Sequence, residues 1–220
     1  MKDKVKEIFS NIFKKGNELL TKNLTPGKKV YTEKLIYING VEYRTWDKTK
    51  SKLATAIYNG IKKVPLKKGS KVLYLGASTG TTVSHVSDIV EKDGIVYAVE
   101  FAARVLKNIL DVAEKRKNIV PILADARKPE DYYWVENVDI VYCDVAQPDQ
   151  TKLAINNANY FNAKYIMIAI KSQSIDVTKN PDEIYKQEIN LLKERKFKII
   201  DWVKLDPYEK DHCFIIAEKM

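Results

Sequence analysis

The chain has only two cysteines and two histidines in 220 residues. Cys143 and Cys213 form neither a metal-ligand spacing nor a C-x-x-C redox motif, so thiolate chemistry organises nothing here. No apolar run approaches the ~18–20 residues that span a bilayer. Met1 to Glu7 is crowded with charge and lacks the apolar stretch of a secretory signal. A reducing cytoplasm, with no membrane partner, is the expected setting. Internal repeats and low-complexity segments are also missing. Acidic residues are scarce in one region: residues 1–70 carry 17 Lys/Arg against 6 Asp/Glu, whereas residues 71–220 carry 21 against 23. A positive field confined to the first third attracts a polyanion. A plain solubilising surface is the alternative, and the placement favours nucleic acid. Yet no RNP-type aromatic motif or KH-like loop is found, so nothing in the chain reads an RNA sequence by itself.

Hydrophobic residues make up 45% of the chain, enough for a buried core. Val5, Ile8, Phe9, Ile12, Phe13, Leu19 and Leu20 lie near helical spacing, which predicts an N-terminal helical segment over 1–22. Two β-rich runs flank Asn39-Gly40, the strongest short hairpin signal, and predict a small β lobe over 23–50. Residues 51–64 have a helical pattern. From Lys71 onward short apolar runs at 71–75, 95–99, 119–124, 138–143 and 164–170 alternate with helical patterns at 81–91, 101–116, 150–161 and 182–195. That alternation predicts βαβ units, a parallel sheet and one main domain over 51–220. Asn180-Pro181 reads as the cap and first turn of the last helix. Two final runs, 197–204 and 212–218, are separated by seven residues. A parallel crossover needs a dozen or more, so these two pair as a hairpin and put one antiparallel strand into the sheet.

Ligands of open α/β sheets bind beyond the carboxyl ends of the strands. Those ends carry a glycine loop (Gly76 to Thr82), Glu100-Phe101, Asp125-Ala126, Asp144 to Gln147, and Lys171. A single charged strand end means little, because strands end where solvent begins; five together fit a site. Gly76 and Gly80 open a helix whose free N–H groups suit an anionic moiety. The dinucleotide fingerprint G-x-G-x-x-G is broken here by Ala77-Ser78 and Thr81, so a pyrophosphate is poorly served. Glu100 is placed to accept from ribose hydroxyls, in a nicotinamide cofactor or in S-adenosylmethionine alike. Asp125 is placed for an adenine amino group and Phe101 for its face. Pro121 marks the third strand as an edge strand. Lys52 stands in the first turn of its helix, where positive charge is unfavourable. His85 reads as a surface or packing residue. On its own His212 reads as a structural strand residue.

These segments, with VEYRTW (41–46), SKLA (51–54), LGASTGTTVSHVSD (75–88), ADAR (124–127), DVAQP (144–148) and KDH (210–212), resemble the archaeal fibrillarins over roughly residues 30–220. The GTTVSHVSD and DVAQP runs are specific to that family among methyltransferases. The resemblance implies a class I S-adenosylmethionine-dependent methyltransferase fold: a Rossmann-like sheet of order 3-2-1-4-5-7-6 with one antiparallel strand and a small N-terminal β lobe. It implies a cofactor pocket lined by Gly76, Ala77, Thr81, Thr82, Glu100, Phe101, Asp125, Ala126, Asp144, Val145, Ala146 and Gln147. It further implies a catalytic set of Lys52, Asp144, Lys171 and His212, with no metal. The expected activity is RNA ribose 2′-O-methylation on rRNA and possibly tRNA. The expected partners are box C/D guide RNA, its target rRNA, a Nop-domain scaffold protein and a kink-turn-binding ribosomal-protein relative. Ser78-Thr79 departs mildly from the family's loop, and residues 1–22 fall outside the matched pattern. Three rivals share parts of these features: a nicotinamide-dependent oxidoreductase, a small-molecule methyltransferase, and a non-catalytic particle subunit. The broken fingerprint and terminal hairpin oppose the first, the basic lobe the second, and the intact Lys-Asp-Lys-His set the third.

Overall fold

The computed structural model describes residues 4–220. The chain begins with strands rather than the helix expected over 1–22: β1 (Lys6–Phe9), β2 (Ile12–Lys15) and β3 (Glu18–Lys22). Residues 1–3 of that segment lie outside the described residues. The apolar spacing is near-helical, but Ser10-Asn11 and Gly16-Asn17 fall at the two turns, with Asn11 and Gly16 both at positive φ. Turn chemistry therefore overrode a short periodicity, and Gly16-Asn17 was the missed hairpin signal. Asn39-Gly40 forms its turn as expected, both residues at positive φ, between β4 (Leu35–Ile38) and β5 (Val41–Thr45). All five strands join one antiparallel sheet of order β1-β2-β3-β5-β4, so the lobe starts near residue 6 and not at 23.

Helix α1 (Lys52–Tyr58) is shorter than the pattern over 51–64 suggested. It stops at Asn59-Gly60, where Gly60 takes a left-handed conformation and Asn59 turns its amide to the carbonyls of Lys204 and Asp206. The second sheet then follows the expected alternation: β6 (Lys71–Leu75), α2 (Thr81–Val90), β7 (Ile95–Glu100), α3 (Ala103–Lys115), β8 (Ile119–Leu123), β9 (Ile140–Cys143), α4 (Gln150–Tyr160), β10 (Tyr165–Lys171), the single turn α5 (Ser172–Ile175), α6 (Pro181–Glu194), β11 (Phe197–Lys204) and β12 (His212–Lys219). Asn180 caps α6 through Asp182 N–H, with proline in the first turn.

The seven strands lie in the order β11-β12-β10-β9-β6-β7-β8. Counted within this sheet alone, that is the expected 3-2-1-4-5-7-6. β12 pairs antiparallel with both β10 and β11, and the remaining pairs are parallel. Pro121 sits on the edge strand β8, where its missing N–H costs no ladder bond. Alternate residues of each strand feed two cores. Val72, Tyr74, Tyr142 and Phe214 face α1, α2, α3 and the lobe, while Leu73, Leu75, Val141 and Ile215 face α4 and α6. The sheet is thus covered on both sides, leaving its carboxyl edge for a ligand.

Candidate active site

A cleft of about 350 Å³ opens at that edge, within the usual range of small-molecule sites. One wall is the glycine loop between β6 and α2. Gly76 has φ +81°, and a Cβ there would stand 2.7 Å from the Asp144 carbonyl oxygen, so only glycine lets the ends of β6 and β9 close together. Glu100 ends β7, and its two carboxylate oxygens accept from Ser78 N–H (2.9 Å) and Ala102 N–H (3.0 Å). These bonds fix the carboxylate and leave further lone pairs toward the cleft. Phe101 is 74% exposed, a large ring without a protein partner at the rim. Asp125 and Ala126 close the far wall. Asp125 accepts from Arg127 N–H, and Asn157 donates to the Ala126 carbonyl at 2.8 Å.

At the inner end of the cleft Asp144 follows β9. Its Oδ1 lies 3.1 Å from Lys171 Nζ and 3.3 Å from Lys52 Nζ, and all three side chains are largely withdrawn from water. Lys171 Nζ also donates to the Asp144 carbonyl at 3.3 Å. Lys52 Nζ also lies 3.4 Å from Oδ2, so one carboxylate holds both ammonium groups. Lys52 opens α1 against the helix dipole, and Asp144 offsets that conflict. Ser51 caps the helix and accepts from Thr82 Oγ at 3.0 Å, tying α1 to the first turn of α2.

His212 begins β12 directly opposite Lys171, so both side chains leave the same face of the sheet. Its Nδ1 lies 2.6 Å from the Lys210 carbonyl. A carbonyl only accepts, so Nδ1 carries a hydrogen, and Nε2 has no hydrogen-bond partner among the described residues. The loop leading to His212 is clamped to α1. Lys48 sits over the rings of Tyr58 (4.6 Å) and Tyr208 (4.2 Å) and donates to the Tyr208 hydroxyl. Asn59 bonds the same loop from the other end of the helix.

Of the residues expected from sequence, Gly76, Glu100, Phe101, Asp125, Ala126, Asp144, Val145, Ala146, Gln147 and Lys171 line the cleft. Ala77, Thr81, Thr82, Lys52 and His212 do not. Ala77 is buried, and Thr82 turns to Ser51 instead. Lys52 touches the site through Asp144, and His212 joins it by register. Ser78, Val99, Ala124, Arg127 and Leu153 also line the cleft and were not among the expected site residues. Arg127 adjoins Ala126 in sequence and was within reach of that reasoning; Leu153 looks like any apolar helix residue and was not.

A mixed sheet of this order, covered on both sides and carrying an acid-lined cleft at its carboxyl edge, defines a class I S-adenosylmethionine-dependent methyltransferase. Comparison with known proteins narrows the class. The family model for Fibrillarin matches residues 1–220, including the N-terminal strands that the sequence pattern had left out. A curated relative, the fibrillarin-like rRNA/tRNA 2′-O-methyltransferase of Sulfurisphaera tokodaii, is 53% identical over 99% of this chain and 95% of its own length. Aeropyrum pernix fibrillarin, solved with natively bound S-adenosyl-L-methionine, is 43% identical with a TM-score of 0.87, covering 98% of this chain and 99% of that one. A chain of a fibrillarin/Nop5p complex is 40% identical with a TM-score of 0.87, covering 98% of this chain and all of that one. The chain belongs to the fibrillarin family.

Proposed function

We propose that this chain transfers a methyl group from S-adenosylmethionine to ribose 2′-hydroxyls of rRNA and tRNA, as the catalytic subunit of a box C/D guide particle. The observation that carries the reading is the contact of Lys52 and Lys171 with one Asp144 oxygen at the inner end of the cleft. The residues fit the donor molecule. Glu100 takes the ribose hydroxyls, Phe101 an adenine face and Asp125 the adenine amino group. The Gly76–Gly80 loop and the start of α2 hold the amino-acid end, with Thr81 and Thr82 shaping that turn. S-adenosylmethionine supplies, when bound, an electrophilic methyl on a sulfonium. Asp144 would lie beside that positive charge, and its carboxylate holds the two ammonium groups in place. Lys171 and Lys52 stabilise the charge that develops on the attacking 2′-oxygen. His212 Nε2 is the acceptor for the hydroxyl proton.

Site choice lies outside the chain, which contains no sequence-reading RNA module. Guide RNA paired to its target selects the nucleotide. A Nop-type scaffold seats the enzyme, a reading supported by the relative solved with Nop5p. A kink-turn-binding protein anchors the guide. The cytoplasm is the compartment that composition favours. Calorimetric titration of the purified chain tests the cofactor assignment. S-adenosylmethionine binds and NAD does not, and Glu100→Ala weakens binding by about tenfold or more, since charged hydrogen bonds are worth ~1.5–3 kcal/mol each. NAD binding in place of S-adenosylmethionine would remove the reading.

A further inference from the structure

Helix α4 buries two amide side chains completely, Gln150 and Asn157. Buried amides are costly unless bonded, and in both the oxygen and the nitrogen are bonded. They are seven residues apart, so they share one face of the helix, with the cleft-lining Leu153 between them. Asn157 donates to the Ala126 carbonyl on the far wall of the cleft and accepts from the Tyr132 hydroxyl. Gln150 works at the inner end.

The need for Gln150 arises from strand lengths. β9 ends at Cys143, paired with Ile168, and β10 continues for Ala169, Ile170 and Lys171 with β12 on one side only. A strand residue points its N–H and C=O to the same side, and at Lys171 that side is the one β9 has left. Gln150 fills it. Its Oε1 accepts from Lys171 N–H at 3.0 Å, and its Nε2 lies 3.4 Å from the Lys171 carbonyl. The same Nε2 donates to the Gln147 carbonyl at 2.9 Å. One amide group thus stands in for the missing strand residue and joins the segment after Asp144 to the backbone of Lys171.

We propose that Gln150 is a positioning residue for methyl transfer: it sets Lys171 against Asp144, whereas Asn157 serves the cofactor wall. The proposal rests on the methyltransferase reading above. A merely structural Gln150 would, when replaced, loosen α4 and degrade cofactor binding and transfer together. A positioning Gln150 degrades transfer alone, because a misplacement of about 1 Å at a reacting group costs ~100-fold in rate.

The test uses single-turnover transfer in the reconstituted guide particle at saturating S-adenosylmethionine. Calorimetric Kd for S-adenosylmethionine is measured beside it on the full chain. Gln150→Met removes all three bonds. Gln150→Glu keeps the shape and the acceptor to Lys171 N–H, and it carries the test if the first variant does not fold. Both are expected to lose about 30–100-fold in rate with Kd within about threefold of wild type. Asn157→Leu, which breaks the bond to the Ala126 carbonyl on the cofactor wall, is expected to raise Kd about tenfold. Wild-type rates in the Gln150 variants, or a loss of rate matched by a proportional rise in Kd, would overturn the proposal. A wild-type particle that binds S-adenosylmethionine but transfers nothing would instead overturn the function on which it stands.

Discussion

Lys52 and Lys171 lie far apart in the sequence and meet on one carboxylate, Asp144. Sequence reasoning reached each of these separately: Lys171 and Asp144 because they end strands, and Lys52 because it opens a helix where a cation is out of place. It could not reach their contact, which depends on how α1 packs over the sheet. His212 was less legible still. A histidine opening a strand has no signature of its own; the family resemblance placed it in the set, and the register with Lys171 puts it on the same face of the sheet. Lys171→Ala is expected to abolish transfer while S-adenosylmethionine binding, measured by calorimetry, persists. His212→Gln is expected to lower the single-turnover rate by ~10²-fold or more, the usual worth of a positioned acid or base. Full activity in either variant would remove that residue from the chemistry.

At the scale of elements, the β lobe is fastened to the main domain by a buried polar cluster that composition alone did not reveal. Arg44 of β5 bonds Glu33 (2.7 Å) and Asp88 of α2 (2.8 Å), with no side-chain exposure on any of the three. Asp88 also pairs with Arg116, which donates onward to Asn23 at 3.0 Å. Burial alone would push the Glu33 carboxyl up, but the Arg44 guanidinium and the N–H groups of Val30 and Tyr31 outweigh it and hold it low. This cluster fixes the lobe on α2, whose first turn adjoins the cleft. Arg44→Met leaves buried carboxylates under-compensated and is expected to cost about 3–5 kcal/mol in denaturant unfolding. A loss under about 1 kcal/mol would show the cluster to be dispensable. The main sheet was legible because continuous apolar runs, buried on both faces, alternate with helical patterns over enough residues. The lobe's first strands were not, because four-residue strands are too short to show period 2, and their turns were the clearer signal.

At the scale of the whole molecule, about half of the excess positive charge of the first third lies on the lobe, where Lys6, Lys14, Lys22, Lys28, Lys29 and Lys34 are exposed. Beneath it His85 is fully buried, stacked on Trp46. Desolvation, with Arg44 and Arg116 nearby, pushes its pKa well below the ordinary histidine value. The neutral ring donates from Nδ1 to Thr21 Oγ, which passes its own hydrogen to Asp88, and accepts from the Tyr31 hydroxyl at Nε2. The folded state therefore refuses a proton that the unfolded chain takes up below about pH 6.5. Stability is full above that pH and falls as pH drops, by about 1 kcal/mol between pH 6.5 and 5.5. Denaturant titrations at those two pH values, with His85→Gln as the control lacking this dependence, check the sign; equal slopes in both would refute it. The central claim is that the Lys52–Asp144–Lys171 site delivers a methyl group to a ribose 2′-oxygen chosen by a guide. It is tested most directly in the reconstituted guide particle with methyl-labelled S-adenosylmethionine and two target RNAs, one normal and one 2′-deoxy at the guided nucleotide. The account predicts label in the first target and none in the second. Label in the deoxy target, or none in either while S-adenosylmethionine is bound, would contradict it.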